Sequence, residues 1–429
     1  MDWWKILHVL DCGLTYGTGG QHEIHRSFSP DGCFMPWDWG YASRGDAAVS
    51  KCWLPLFQGC RGIIGFQSSS QWRPDLTPSF GLADTVPHIL RMKRGVGRHI
   101  LDNLSARPDV AILYSQASHR AAFIENRRKA HDEAQEKFRR LLLNLGCAYD
   151  YVSGEQLAAG LAEKRGYKAL LLVDAAAMDD GEIAGVKAFA AAGGTVIAEN
   201  LPGRLRQNCR ARGESPLKGL FADGRHTLFK ALPDDGHADF SAALRKADVG
   251  GEKLTMLADG KEILDFSVFA KSDRAGNPFW GVMPSGKRRE VTFRFPKRGY
   301  AYELVGGRSY GLTDELKLPV GLGTPLAFAL LPEEAGVDEV KAEGARITVR
   351  GKGRVDSVVR VRVFDPSGRE AAHYAKNLVL KAGNAVTYEI PFARNDAKGT
   401  WTVQVESVFG GTVRCWVQLP LPPASVSFR

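Results

Sequence analysis

Between residues 105 and 205 the chain alternates short apolar runs with longer stretches of helical spacing. The apolar runs are Val110–Ser115, Ala148–Ser153, Ala169–Asp174 and Thr195–Glu199. Runs this short and this uniformly apolar predict strands buried on both faces, and the helical stretches between them predict parallel βαβ crossovers. The first crossover helix is expected over Ala121–Leu145. Phe138, Leu141, Leu142 and Leu145 form its apolar face, and Arg127-Arg128-Lys129 and Arg139-Arg140 form its solvated one. The last helix stops at Ala192-Gly193-Gly194. Residues 206–245 are polar and irregular. From about residue 250 the period drops to two, as in Val291–Phe295 and Ile347–Arg350, with glycine and proline turns between the runs.

Before residue 105 the pattern is again βα-like. His8–Asp11 and Cys33–Trp37 read as short strands and Arg61–Gln67 as a buried one. Asp46–Gly59 reads as a helix ending in glycine, and Ala83–Leu104 as a closing helix. About three βα units fit in this segment, too few to close a barrel of eight. The expected organisation is a multidomain α/β plus all-β chain. Residues 1–104 would be the end of a (β/α) barrel, 105–245 a flavodoxin-like or amidotransferase-like α/β domain, 246–334 a small β domain and 335–429 an immunoglobulin-like sandwich. Val358–Phe364, Ala385–Ile390 and Thr400–Val408 are the clearest strands of that sandwich.

Composition narrows the function classes. At 44% hydrophobic and 24% charged the 429 residues are those of a globular chain, not a disordered one. No apolar run of about 18 residues occurs, so no membrane span is expected. The start, Met1-Asp2-Trp3-Trp4-Lys5-Ile6, lacks a signal-peptide layout. The seven cysteines are scattered without a CxxC pair, which argues against a structural zinc or a disulfide framework and favours a reducing, cytoplasmic setting. The net charge of +9 is spread along the chain and does not form a basic stripe, so a nucleic-acid partner is not expected.

The α/β segment carries no visible chemistry. The strand at 169–174 runs into Ala175-Ala176-Ala177-Met178, with no nucleophile, and Ser115-Gln116-Ala117-Ser118 lacks a glycine-rich phosphate loop. A nucleotide or flavin site is therefore disfavoured and no cofactor is expected. The barrel-like segment is richer. Barrel sites lie at the carboxyl ends of strands, and here the strand at 33–37 ends in Trp37-Asp38-Trp39-Gly40-Tyr41. Indole faces stack on sugar rings, and a carboxylate stabilises an oxocarbenium-like centre. Gln67 and Trp72 lie on a second rim. Glu23, between His22 and His25, lies on a third. The bland alternative makes Trp37, Trp39 and Trp72 core aromatics and Asp38 a helix cap. His22 and His25 are spaced for one metal but have no third ligand in sequence.

Residues 33–104 resemble the end of the catalytic barrel of family 42 glycoside hydrolases, the β-galactosidase group. Phe34-Met35-Pro36-Trp37-Asp38 falls where that family's seventh strand carries its nucleophilic glutamate, and Leu56–Ile64 resembles the helix and eighth strand that follow. Residues 108–202 resemble the family's trimerisation domain, chiefly at Asp180–Ile183 and Phe189–Ala198, and the β module ending near Leu331 resembles its β domain. The resemblance implies retaining hydrolysis of a β-linked glycoside, a carbohydrate ligand and a homo-oligomer, specifically a trimer. Asp38 would be nucleophile or transition-state stabiliser, Glu23 a secondary acid, and Trp37, Trp39, Trp72 and Gln67 substrate contacts. Two departures count against hydrolysis by this chain alone. Asp38 is one methylene shorter than glutamate, and the strand that bears the family's general acid would precede Met1. A non-catalytic carbohydrate-binding or assembly module is the alternative.

Overall fold

The computed structural model of the chain describes residues 2–10, 20–29, 35–37, 44–61, 63–65, 72–106, 108–251 and 253–419. Two short strands, β1 (Met35–Trp37) and β2 (Ile63–Gly65), pair in parallel with Met35 opposite Ile63 and Trp37 opposite Gly65. The helix Gly45–Gln58 connects them and ends at Gly59, whose φ of +96° is the left-handed conformation that stops a helix. The chain near His8 differs from its expected strand. Asp2 caps a helix over Trp3–Leu7 and His8–Leu10 follow it without strand pairing, while Asp11 lies outside the described residues.

The middle layer is a parallel sheet of β3 (Val110–Tyr114), β4 (Tyr149–Ser153), β5 (Ala169–Val173), β7 (Thr195–Glu199) and β9 (Thr227–Phe229), in the order β4-β3-β5-β7-β9. All five residues of both β5 and β7 are buried, as strands covered on both faces require. A small parallel pair, β6 (Ala177–Met178) with β8 (Leu205–Arg206), fills the space beyond β5. The expected long helix is two, Gln116–Ile124 and Arg128–Asn144. Asn126 adopts φ +55° between them, a conformation that no helix continues through. Residues 206–245 contribute more than loop: β9 closes the sheet, and His237–Lys246 forms a helix whose Phe240 meets Phe138 edge-on at 5.2 Å.

The remaining chain is antiparallel. One seven-stranded sheet comprises β10 (Thr255–Ala258), β11 (Lys261–Glu262), β12 (Phe266–Ser272), β13 (Pro278–Pro284), β14 (Arg289–Glu303), β15 (Arg308–Val320) and β16 (Leu326–Leu331). Beyond it stand two sheets. The first has the order β17 (Gly336–Glu343), β18 (Arg346–Lys352), β21 (Ala385–Glu389). The second has the order β20 (Lys376–Leu380), β19 (Ser357–Phe364), β22 (Gly399–Ser407), β23 (Thr412–Leu419). Ile347 and Val349 from one and Val359, Val361 and Val403 from the other share one core, the packing of a sandwich.

Glycines set how closely these layers approach. A Cβ on Gly281 of β13 would lie 2.7 Å from the ring of Phe57, so the Gly45–Gln58 helix seats an aromatic ring on bare backbone. The expected helix over Ala83–Leu104 is broken by a wide turn at Met92–Val96, where Gly95 has φ +125°. A Cβ there would meet Val358 at 3.1 Å and Val408 at 3.3 Å. Gly95→Ala therefore combines an unfavourable backbone with overpacking and is expected to destabilise the chain by about 2–4 kcal/mol. Urea unfolding of the variant checks this, and an unchanged midpoint would show that the turn adapts freely.

Candidate functional site

Because β1 and β2 are parallel and in register, the chain leaves both strands at the same edge. Barrel folds place their chemistry at that edge. The sequence puts Asp38 and Trp39 just after β1 and Gln67 two residues after β2; these three lie outside the described residues. Trp37 is described as the last residue of β1 by its backbone alone. Trp72 is 45% exposed and pairs with Pro78 through an isolated antiparallel bridge. Its indole is thus not a core residue.

Glu23 is placed differently from the rim loop expected of it. It lies on a helix over Gln21–Phe28 and is 2% exposed. Its Oε1 accepts from Gln58 Nε2 at 3.1 Å, from Arg139 at 3.3 Å and from the Tyr149 hydroxyl at 3.1 Å. Burial would raise the carboxyl's pKa, but Arg139 and Arg26 outweigh it and hold the group below the usual carboxylate value. Burial, with the negative charge of Glu23 added, pushes the Tyr149 hydroxyl far above its ordinary value, so it stays a donor. Glu23 Oε2 and Gln58 Oε1 are buried without a hydrogen-bond partner.

The flanking histidines are buried too. Burial pushes both down to about 4, so both are neutral at pH 7. The His25 ring packs on Trp3 at 4.6 Å. Among the described residues no three potential ligands gather as a metal site.

Arg139 is the residue that reading from sequence misplaced. Counted there with the solvated face of its helix, it has a side chain only 18% exposed and is clamped between Glu136 and Glu23. Its neighbour Arg140 is half-exposed, as expected of that face. Helical spacing does foreshadow the Glu136–Arg139 pair at i, i+3. The partner 116 residues away carries no local signal.

At the carboxyl edge of the parallel sheet, the loop after β5 holds Asp174 at φ +45°. Asp174 is buried, with His131 Nδ1 at 3.0 Å and Arg127 at 3.3 Å from one carboxylate oxygen. Burial opposes its charge, yet the hydrogen bond from His131 and the charge of Arg127 lower its pKa. These donors occupy the carboxylate from within the protein, which suits a structural corner. No helix of the described chain is long and apolar enough to cross a membrane.

No family model matches the sequence, and comparison with curated proteins finds no match either. Solved structures do match. A catalytic mutant of Gan42B, a GH42 β-galactosidase from G. stearothermophilus, superposes with a TM-score of 0.58 at 14% identity, over 77% of this chain and 61% of its own. The β-galactosidase from Bacillus circulans sp. alkalophilus gives 0.58 at 13%, over 77% and 62%. The cold-adapted β-galactosidase from Rahnella sp. R3 gives 0.58 at 12%, over 77% and 62%. At such identities the likeness is one of fold. The chain therefore shares the fold of GH42 β-galactosidases over about three quarters of its length, and it spans about three fifths of theirs.

Proposed function

We propose that this chain is part of a glycoside-hydrolase-like protein that binds a β-linked carbohydrate, β-galactoside being the first candidate, at the edge where β1 and β2 end. Asp38 is its carboxylate, and Trp37, Trp39, Trp72 and Gln67 are its substrate contacts. The observation that carries this reading is the backbone likeness to GH42 β-galactosidases, at a TM-score of 0.58. Retaining hydrolysis needs a second carboxyl roughly 5–5.5 Å from the first, free to give and take a proton. Glu23 is unsuited to this, because its carboxylate is buried and tied to Arg139, Tyr149 and Gln58. The acid that completes a pair with Asp38 must be another residue, and without one the chain binds sugar and does not cleave it.

The decisive experiment measures both binding and turnover of aryl β-galactosides by the purified chain, beside Asp38→Ala. The expected result is binding that the substitution weakens, without turnover. Turnover abolished by Asp38→Ala would place a complete pair in the chain and overturn the non-cleaving half of the proposal. A folded chain with neither binding nor turnover would overturn the carbohydrate reading.

The sealing of Glu23 favours a second reading, a carbohydrate-binding or assembly module with no hydrolytic role. Self-association belongs to both. The resemblance of residues 108–202 to a trimerisation domain leads us to expect three copies by light scattering, and a monomer at micromolar concentration would remove that expectation.

A further inference from the structure

Where the parallel sheet, residues 249–251 with Lys253, and β12 meet, they border a half-open cavity of about 240 Å³ lined by Asp109, Cys147, Gly250, Lys253, Lys271 and Ser272, among others. One side is closed by Ser105 and Ser272, whose backbones exchange two hydrogen bonds of 2.9 Å. A narrower gap of about 20 Å³ shares Cys147, Ala148, Ala270 and Lys271 with the cavity and continues to Arg26 and Glu23. The cavity is slightly smaller than the roughly 300–1,000 Å³ of drug-sized sites, which suits a small metabolite.

Among the described residues, the charges around this space do not balance locally. Lys253 pairs with Glu262 at 2.8 Å, Asp109 with Lys168 at 3.7 Å, and Arg26 with Asp150 at 3.4 Å. Glu23 is engaged by Arg139. Lys271 is different: half-buried on β12, its side chain makes no hydrogen bond or ion pair with any described residue. Burial, with Arg26 adding repulsion, pushes its ammonium down to about 8. Burial pushes the nearby Cys147 thiol up to about 12, so it supplies no anion at neutral pH. A Cβ at Gly250 or Gly251 would meet nothing within 4 Å, so the linker leaves that wall open. Among the described residues no anion pairs with the Lys271 ammonium, which leaves it available to an anion that enters the cavity.

We propose that this cavity binds a small organic anion through its carboxylate or phosphate group, with Lys271 as the charge partner and Lys253 as the outer cation. The site is separate from the β1–β2 edge and stands or falls independently of the carbohydrate reading.

Isothermal titration of the full chain with inorganic phosphate, galactose 6-phosphate and glucuronate, and with neutral galactose as control, tests this. The two anion chemistries are thereby told apart. At least one anion is expected to bind at pH 7, and Lys271→Met to weaken it by about tenfold or more, as loss of a charge-assisted contact does. Lys253→Met, which removes only the outer cation, is expected to cost roughly threefold. Binding in the unmodified chain should weaken between pH 7 and pH 9 as Lys271 loses its proton. Among the described residues, the other groups facing the gap are Asp109, Lys253, Arg26 and Glu23, each held by a partner, Cys147, whose thiol stays protonated throughout, and Cys60, whose charge on ionising favours the Lys271 ammonium.

Should Lys271→Met fail to fold, isotope-labelled dimethyl-lysine signals of the otherwise unmodified chain report directly whether Lys271 shifts on adding phosphate or glucuronate. The proposal is overturned if no anion binds, if Lys271→Met binds as tightly as the parent, if the Lys271 signal does not move, or if galactose displaces the anion.

Discussion

Arg139→Ala is expected to destabilise the chain by about 3–5 kcal/mol, the cost of removing the cation that pairs directly with a buried carboxylate and leaving only the charge of Arg26 to oppose it. Three facts set that size. Glu23 is 2% exposed, so solvent cannot replace the guanidinium. Arg139 bridges Glu23 and Glu136, so two acids lose their partner together. The remaining donors to Glu23, Tyr149 and Gln58, are neutral. The folded pKa of Glu23 lies below the usual carboxylate value. Its contribution is therefore present above the unfolded pKa of about 4.3 and is lost as pH falls through the folded value. Glu23→Gln keeps an acceptor for the three donors and is expected to cost only about 1–2 kcal/mol. The pair Glu23→Gln with Arg139→Met should be less harmful than the two singles added together, because neither charge is then left alone. Urea midpoints at pH 7 of the parent, Glu23→Gln, Arg139→Met and the double variant decide the matter. Additive losses would mean that the two side chains act separately, and Glu23 would again be free for other work.

The same network shows where reading from sequence succeeds and where it stops. The strands of the parallel sheet were legible because full burial leaves an uninterrupted apolar run: β7 spans Thr195–Glu199 as expected, and β3 and β5 end one residue early. The break at Asn126 was not legible. Apolar periodicity continues across it, and only the left-handed backbone of one residue divides the helix. The edge strand β9 was missed because a three-residue strand that is not fully buried lacks the uninterrupted apolar run of its neighbours. At the candidate site, the pattern of indoles beside Asp38 is a local signal and could be named in advance. Glu23 looked equally exposed in sequence, yet its surroundings come from residues 58, 139 and 149, each on a different element. A carboxylate's role depends on such distant partners, and neither spacing nor composition encodes them.

Glu182 carries the opposite sign of pH dependence. It sits at the third position of the helix Asp180–Ala191, where its Oε2 accepts from the Asp179 backbone N–H at 2.7 Å while Asp179 accepts from the Glu182 N–H at 2.7 Å. This reciprocal cap is spelled in the sequence as an acid followed three residues later by glutamate. Its environment is not: a Cβ on Gly154 would fall 1.9 Å from Glu182 Oε1, so the carboxyl is pressed against bare backbone of the neighbouring helix. Burial lifts its pKa to about 7, the Asp179 N–H opposes the shift, and the Asp179 carboxylate adds to it. The folded chain thus holds a proton that the unfolded chain has released between about pH 4.5 and 7, and stability falls as pH rises through that window, by about 3 kcal/mol for this group. Glu182→Gln retains an oxygen for the Asp179 N–H and cannot ionise. It is expected to fall about 1 kcal/mol short of the parent near pH 4.5, for the weaker amide acceptor, and to exceed it by about 2 kcal/mol at pH 8. Urea midpoints at the two pH values test this. A difference of the same size at both would mean that Glu182 is ionised throughout and that the gap against Gly154 admits water. A gain confined to pH 8 would show that the capping carboxyl of this helix is kept neutral by the close approach that Gly154 permits.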